Sequence, residues 1–248
     1  KKNVTVFFSD ISDFTTFSET LPAEQLLVFL TQYFEVFSKV ILESKGTIDK
    51  YIGDSVMAIW NAPQSVVDHT DRACMSALKC LKESTQQQQV QGSPGWKTRF
   101  GLHTGEVVVG NIGTKERMNY TVIGDVVNTT SRLHGVNKLF GTSIIVSETL
   151  QGKIGAQFLT RPLDHVAVKG RKEKIAVYEL VGLIKGDQDL LATQEQIDLC
   201  HAFSVAYGRF HEGHFADAQE QFLAIAKRFP QDKPTQIYLE KLQAIEPS

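Results

Sequence analysis

Apolar residues recur along this chain in two rhythms, one of period two and one of helical period, and their order outlines the fold. Val4-Thr5-Val6-Phe7-Phe8 is a short β-prone run suited to a strand buried on both faces, and it ends at Ser9-Asp10, leaving a carboxylate at the strand tip. Pro22 suits a first helical turn; Leu26, Leu30, Tyr33, Phe37 and Val40 then follow at helical spacing, and Gly46 predicts a stop after Lys45. Two β-prone runs, 47–52 and 55–60, flank Gly53-Asp54 and read as a hairpin. Ala73, Ala77, Leu78 and Leu81 predict a second long helix over 68–89, followed by a solvated loop at Gly92-Ser93-Pro94-Gly95. Strand patterns return at 98–103, 106–109 and 120–123. Asp125 is placed to cap a helix running to about Phe140, and further strands are expected around 143–146, 156–158 and 175–180. Long helices mixed with non-alternating strands predict an α+β fold rather than a doubly wound sheet.

The character changes near residue 184. Residues 190–247 carry no strand pattern and read as three helices broken at Gly213-His214 and at 230–234. Ala206, Phe215, Ala218, Phe222 and Pro230 fall at the spacing of a tetratricopeptide repeat. One imperfect unit cannot form a solenoid, so the segment is either the start of an array or a helical hairpin docked on the rest. The expected division is therefore 1–183 and a helical, TPR-like extension over 184–248.

Composition narrows the function classes. The 248 residues carry 26 Lys plus Arg against 28 Asp plus Glu, a net charge of −2, so no basic field exists to attract nucleic acid. Three cysteines (Cys74, Cys80, Cys200) lie in no CxxC or Cys/His cluster, which points to reduced thiols without a disulfide frame or zinc, and to a cytoplasmic setting. No apolar run is read as bilayer-spanning. Lys1-Lys2-Asn3 leads straight into a strand without an initiator Met, which reads as a piece of a longer protein whose upstream sensor or membrane segments lie outside it.

Two groups of residues carry candidate chemistry. Asp10 at a strand tip and Asp54 in a tight turn are the kind of sparse carboxylate pair that Mg²⁺ tolerates, because Mg²⁺ keeps waters and completes its octahedron with substrate phosphates. Taken singly, Asp54 reads first as a turn residue and Asp10 as a helix cap. Asn128 and Arg132, four apart on a helix, share a face away from Val126, Leu133, Val136 and Phe140; an amide with a guanidinium can orient a ribose and clamp a phosphate, or remain a solvated pair.

Four blocks then carry a resemblance: Phe7-Phe8-Ser9-Asp10-Ile11-Ser12-Asp13-Phe14-Thr15, Gly46-Thr47-Ile48-Asp49-Lys50-Tyr51-Ile52-Gly53-Asp54, Arg99-Phe100-Gly101-Leu102-His103-Thr104-Gly105 and Tyr120-Thr121-Val122-Ile123-Gly124-Asp125-Val126-Val127-Asn128. Their order, closed by Arg132, resembles the catalytic domains of class III adenylyl/guanylyl cyclases over about residues 3–182. The resemblance implies a ferredoxin-like palm working as a head-to-tail homodimer with sites at the interface. It implies two divalent cations, Mg²⁺ or Mn²⁺, on Asp10 and Asp54 with the Ile11 carbonyl, a triphosphate cradled around Phe14 and Thr15, and phosphate contacts from Arg99 and Lys169. It also implies purine readout by Lys50 and Thr121, ribose positioning by Asn128, and transition-state contact from Arg132.

At the two purine positions guanylyl cyclases typically carry Glu and a small Cys-like residue. Lys50 is a pure donor suited to adenine N1, and the Thr121 hydroxyl can accept from the adenine 6-amino group, so ATP is the expected substrate. The Lys–Thr pair resembles a subgroup with bicarbonate-responsive members, which makes bicarbonate or calcium a candidate regulator. Asp13 departs from the family's usual Gly and is expected to face water; His103 lies within a block without an evident chemical role. The rival readings are a catalytically silent cyclase-like domain and a guanylyl cyclase.

Overall fold

The computed structural model describes residues 1–88, 97–167 and 174–245. In chain order the elements are β1 (Lys2–Ile11), α1 (Phe14–Ser18), α2 (Ala23–Glu43), β2 (Thr47–Ile52), β3 (Ser55–Trp60), α3 (His69–Gln88), β4 (Thr98–Gly113) and β5 (Met118–Ile123). There follow α4 (Asp125–Phe140), β6 (Ile144–Ser147), α5 (Glu148–Gln151), β7 (Phe158–Ala167), β8 (Lys174–Leu183), α6 (Gln194–His211), α7 (Phe215–Arg228) and α8 (Lys233–Ile245). Strands run in the order β2-β3-β1-β4-β6-β8-β7, and β5 pairs with the far half of β4. The β2-β3-β1-β4 portion is antiparallel throughout, and with its crossovers through α2 and α3 it is the ferredoxin-like βαββαβ arrangement. β4 and β6 pair in parallel, so the sheet is mixed and the fold is α+β, as expected.

β1 lies at the centre because both of its faces are apolar. Phe7 and Ile11 turn toward Tyr33, Phe37 and Ile41 of α2 and Ala73 and Ala77 of α3, whereas Val4, Val6 and Phe8 turn to the opposite face, with Met57, Ile59, Val107 and Val126. Period-two alternation with apolar residues at both phases is what a strand covered on two sides requires. The three cysteines are free and buried.

Several expectations need correction. The patterns at 98–103 and 106–109 belong to a single 16-residue strand, β4, whose far half leaves the sheet's main body to pair with β5. The strand expected at 156–158 begins only at Phe158 and runs to Ala167; its Thr160, Arg161, Asp164 and His165 hid it from a reading based on apolar runs. Gly124, not Asp125, stands at the N-cap of α4. The left-handed residue after α2 is Lys45, with φ 64°, rather than Gly46; a Cβ on Gly46 would lie 2.7 Å from Trp60 side-chain atoms, so glycine is needed there for space. α2, 21 residues long, is long and apolar enough by length and composition to cross a membrane, contrary to the sequence reading. In this fold its Tyr33, Phe37 and Ile41 are buried in the core.

The C-terminal helices enclose a small core of Phe203, Ala206, Ala218, Phe222, Tyr238 and Leu242. They rest on β7 through a bond from Tyr238 Oη to the Leu163 carbonyl (2.9 Å) and through Arg161. That guanidinium is 4 % exposed; it donates to Glu179 (2.6 Å) on β8 and to Asp232 (2.8 Å) ahead of α8, and stacks on the Phe203 ring. Burial alone would lower its pKa, but the two carboxylates raise it and keep it charged.

The contact that positions α4 is backbone on backbone. A Cβ on Gly101 of β4 would stand 2.4 Å from the His134 amide nitrogen and 2.9 Å from the Thr130 carbonyl oxygen. Neither main-chain atom can rotate aside. Gly101→Ala is therefore expected to destabilise the protein by about 1–3 kcal/mol, read as a lower denaturant midpoint; an unchanged midpoint would contradict the close packing.

Candidate active site

Asp10 ends the buried run of β1, and the β2–β3 turn brings Asp54 beside it. The Ile11 amide donates to Asp54 Oδ2 at 2.8 Å, so the peptide after Asp10 holds the second carboxylate in place. Asp10 has its pKa raised from 3.8 to about 6, first by burial and then by the charge of Asp54, with Arg99 opposing and Asp13 adding to the rise. Asp10 Oδ1 is buried without a hydrogen-bond partner. Oδ2 faces His134 Nε2 at 3.5 Å, but burial and Arg99 lower that imidazole's pKa, so it carries no compensating charge at neutral pH. A crowded carboxylate pair with an orphaned oxygen fits a hard divalent cation.

Around this pair, Arg99 is the direct cross-strand partner of Asp10 on β4. Phe14 and Thr15 open α1, where the first amides have no intrahelical acceptor. Asp13 caps that turn with φ 57° and ψ 28°, the left-handed conformation for which glycine is the usual residue and Asp a tolerated one; its side chain is exposed, as expected. On α4, Asn128 and Arg132 are both exposed, while Val126, Leu133 and Phe140 on the opposite stripe are buried. Among the described residues no hydrogen bond or ion pair occupies either side chain. Lys169 lies outside the described residues.

Lys50 on β2 and Thr121 on β5, 71 positions apart in sequence, come together, with Nζ 3.4 Å from Oγ1. Between them lies a residue that the sequence reading passed over. Asp49 accepts from the Thr121 hydroxyl at 2.7 Å and pairs with Lys50 at 3.1 Å. Its only sequence signal was its place within the second block. Tyr33, taken as a core residue of the α2 stripe, carries a buried hydroxyl near Ser9, Thr98 and Asp54, and burial pushes its pKa up. His103 is buried and bonded to Ser147 Oγ at 2.6 Å, a structural role.

Asp164, His165 and His211 bring three potential ligand atoms within 4.8 Å of one another where β7 meets α6. These residues belong to the docking surface of the C-terminal helices rather than to the Asp10–Asp54 pair, and Lys241 already pairs with Asp164.

The titration of Asp10 gives a prediction. Folding raises its pKa, so the folded state binds the extra proton, and stability falls as pH rises from about 4 through about 6. Asp10→Asn should therefore raise the Tm of the metal-free chain at pH 8, by about 2–4 °C, and have little effect at pH 4. Millimolar Mn²⁺ should stabilise the wild type and not the variant. A gain independent of pH, or equal stabilisation of both by Mn²⁺, would contradict the charge-crowded pair.

Comparison with known proteins places the chain among relatives. Residues 1–182 match the family described as adenylate and guanylate cyclase catalytic domain. Adenylate cyclase 1 of Rhizobium meliloti is 42% identical over 188 residues, covering 75% of this chain and 28% of that protein. Among solved structures, the adenylyl cyclase CyaB from P. aeruginosa superposes with a TM-score of 0.68 at 35% identity, covering 76% of this chain and 97% of that one. The guanylyl cyclase Cya2 gives 0.69 at 31% identity, with 77% and 98% covered. The chain spans between 11 and 37% of the length of adenylate cyclase 1 of Rhizobium meliloti and of adenylate cyclase relatives from Dictyostelium discoideum and Anabaena cylindrica. With the family's match running through both carboxylates, the Lys50–Thr121 contact and the α4 face, this chain belongs to the class III adenylyl/guanylyl cyclase catalytic-domain family.

Proposed function

We propose that the protein is an adenylyl cyclase that converts ATP to 3′,5′-cyclic AMP and pyrophosphate at sites shared between two copies of the chain. The observation that carries this reading is the Asp10–Asp54 pair with its buried, unpartnered Oδ1. Asp10, Asp54 and the Ile11 carbonyl would hold two Mg²⁺ or Mn²⁺ ions, which when bound supply Lewis-acid activation of the ribose 3′-hydroxyl and charge neutralisation at the phosphates. The amides at Phe14 and Thr15, with Arg99 and Lys169, would bind and orient the triphosphate. Asn128 holds the ribose so that its 3′ oxygen approaches the α-phosphorus opposite the departing pyrophosphate. Arg132 meets the charge that develops on the α-phosphate, where a fixed guanidinium acts more strongly in the transition state than in the ground state. No side-chain nucleophile is required, because phosphoryl transfer depends mainly on positioning and electrostatics.

The purine reading favours ATP. Lys50 can donate to adenine N1 and meets a competing N1–H in guanine, and both R. meliloti adenylate cyclase 1 and P. aeruginosa CyaB carry the adenylyl name. A shared site accounts for the exposure of Asn128 and Arg132. It also accounts for the exposed apolar residues Val108, Met118, Tyr120 and Ile123 on the β4–β5 arm, which a second copy would cover.

Purified protein with Mn²⁺ should form cyclic AMP from ATP in clear preference to cyclic GMP from GTP. Asp54→Ala should abolish turnover while the fold persists by circular dichroism, and full activity in that variant would overturn the metal assignment. Arg132→Ala should lower kcat by about 10²–10³-fold. Mixing Asp10→Ala with Arg132→Ala chains should restore about one quarter of wild-type activity, because half the dimers are mixed and each has one whole site. Failure to recover activity despite demonstrated subunit exchange would argue for sites contained within one chain.

A further inference from the structure

We infer that Asp49 sets the purine preference of the site by committing the Thr121 hydroxyl proton to itself, which makes Thr121 an obligate hydrogen-bond acceptor. This rests on the reading of Lys50 and Thr121 as the purine contacts.

A threonine hydroxyl is ambivalent: it has one proton to donate and two lone pairs to accept with, and its rotor turns to suit the partner. Left free, Thr121 could accept from the 6-amino group of adenine or donate to O6 of guanine, and would distinguish the two poorly. Asp49 removes that freedom. Its carboxylate is acceptor-only, and Thr121 Oγ1 lies 2.7 Å from Oδ2, a charge-assisted bond stronger than a neutral one. The Asp49 side chain is 1 % exposed, so water competes weakly for the same oxygen. With its proton so engaged, Thr121 has only lone pairs to offer. Adenine's amino group meets a partner there, and guanine's carbonyl meets another acceptor.

The backbone is built for this. The β2–β3 ladder pairs Ile48 with Ala58 and Lys50 with Met57, leaving Asp49 as an extra residue on the β2 side. Such a bulge re-aims a side chain, and here the inserted carboxylate is buried while the adjacent Lys50 stays 44 % exposed. The other oxygen, Oδ1, accepts no hydrogen bond but lies 3.1 Å from Lys50 Nζ as an ion pair, and Nζ reaches to 3.4 Å from Thr121. One buried carboxylate thus fixes both groups, with a donor and an acceptor side by side in the order that the N1 and 6-amino positions of adenine require.

The test compares wild type, Asp49→Ala and Asp49→Asn in two ways: kcat/KM for ATP and for GTP, and binding of 3′-deoxy-ATP and 3′-deoxy-GTP, which lack the attacking hydroxyl and report recognition without turnover. Wild type should favour the adenine nucleotide in both measurements. Asp49→Ala should lower the ATP-to-GTP ratio by about tenfold, and Asp49→Asn should lower it by less, because an uncharged amide still accepts but can also flip. In a Thr121→Val background the effect of either substitution on the ratio should shrink, since there is no hydroxyl left to orient. A carboxylate that merely stabilised the fold would lower the Tm and weaken both nucleotides alike, and an unchanged ratio in either folded variant overturns the assignment. A wild-type chain that binds neither analogue and makes no cyclic nucleotide overturns the adenylyl cyclase reading itself, and this inference with it.

Discussion

Two carboxylates of like charge, brought together at the end of a buried strand, are the constraint from which the rest of this molecule follows. Asp10 is desolvated and crowded by Asp54, and its pKa rises to about 6 as a result. The Ile11 amide draws Asp54 closer still. Nothing nearby relieves the pair fully: Arg99 offsets part of the field, and His134 is held neutral. A fold that tolerates such crowding must fix the two groups from outside, and here the β1–β3 ladder does so. Val6 pairs with Ile59 and Phe8 with Met57 across a register set by apolar side chains on both faces. The crowded carboxylate pair is thus a destabilising element, and in the proposed reading a divalent cation would offset its charge.

The same strand ladder carries the other groups. β4 pairs with β1 along its near half, which sets Arg99 opposite Asp10, and its far half pairs with β5, which carries Thr121. α4 then lies back across β4 with its backbone against Gly101 and with Val126, Leu133 and Phe140 buried, and this packing orients the helix that carries Asn128 and Arg132. Precision of this kind suits a reaction in which the protein's contribution is placement of charge. In the Asp49–Lys50–Thr121 group a buried acid plays a comparable orienting part for hydrogen-bond polarity.

The C-terminal helices form their own small core, yet they are tied to the catalytic fold by a buried Arg161–Glu179–Asp232 network. Removing one member of such a network leaves an uncompensated buried charge, which is strongly destabilising. The helices are therefore an integral neighbour of β7 and β8, whatever they bind on their other side.

Much of this was legible in the residues. Apolar periodicity gave α2, α3, α4 and the three terminal helices, and turn residues gave the β2–β3 hairpin, because local backbone preferences and one-sided burial are written at short range. Asp10, Asp54, Asn128 and Arg132 stood out as candidates by type and position, and the resemblance proposed their roles. The sequence showed only the start of β7, whose polar residues serve a docking surface, and not the true reason for Gly46, which is the nearness of Trp60. It also could not reveal that Asp49 lies beneath Thr121, 72 positions away, since that depends on a bulge and on the path of β5. Chain order determined which elements form and which chemical groups they carry. Only the tertiary structure decided which groups meet, because pKa shifts, orphaned oxygens and hydrogen-bond polarity arise from neighbours distant in sequence and from the exclusion of water between them.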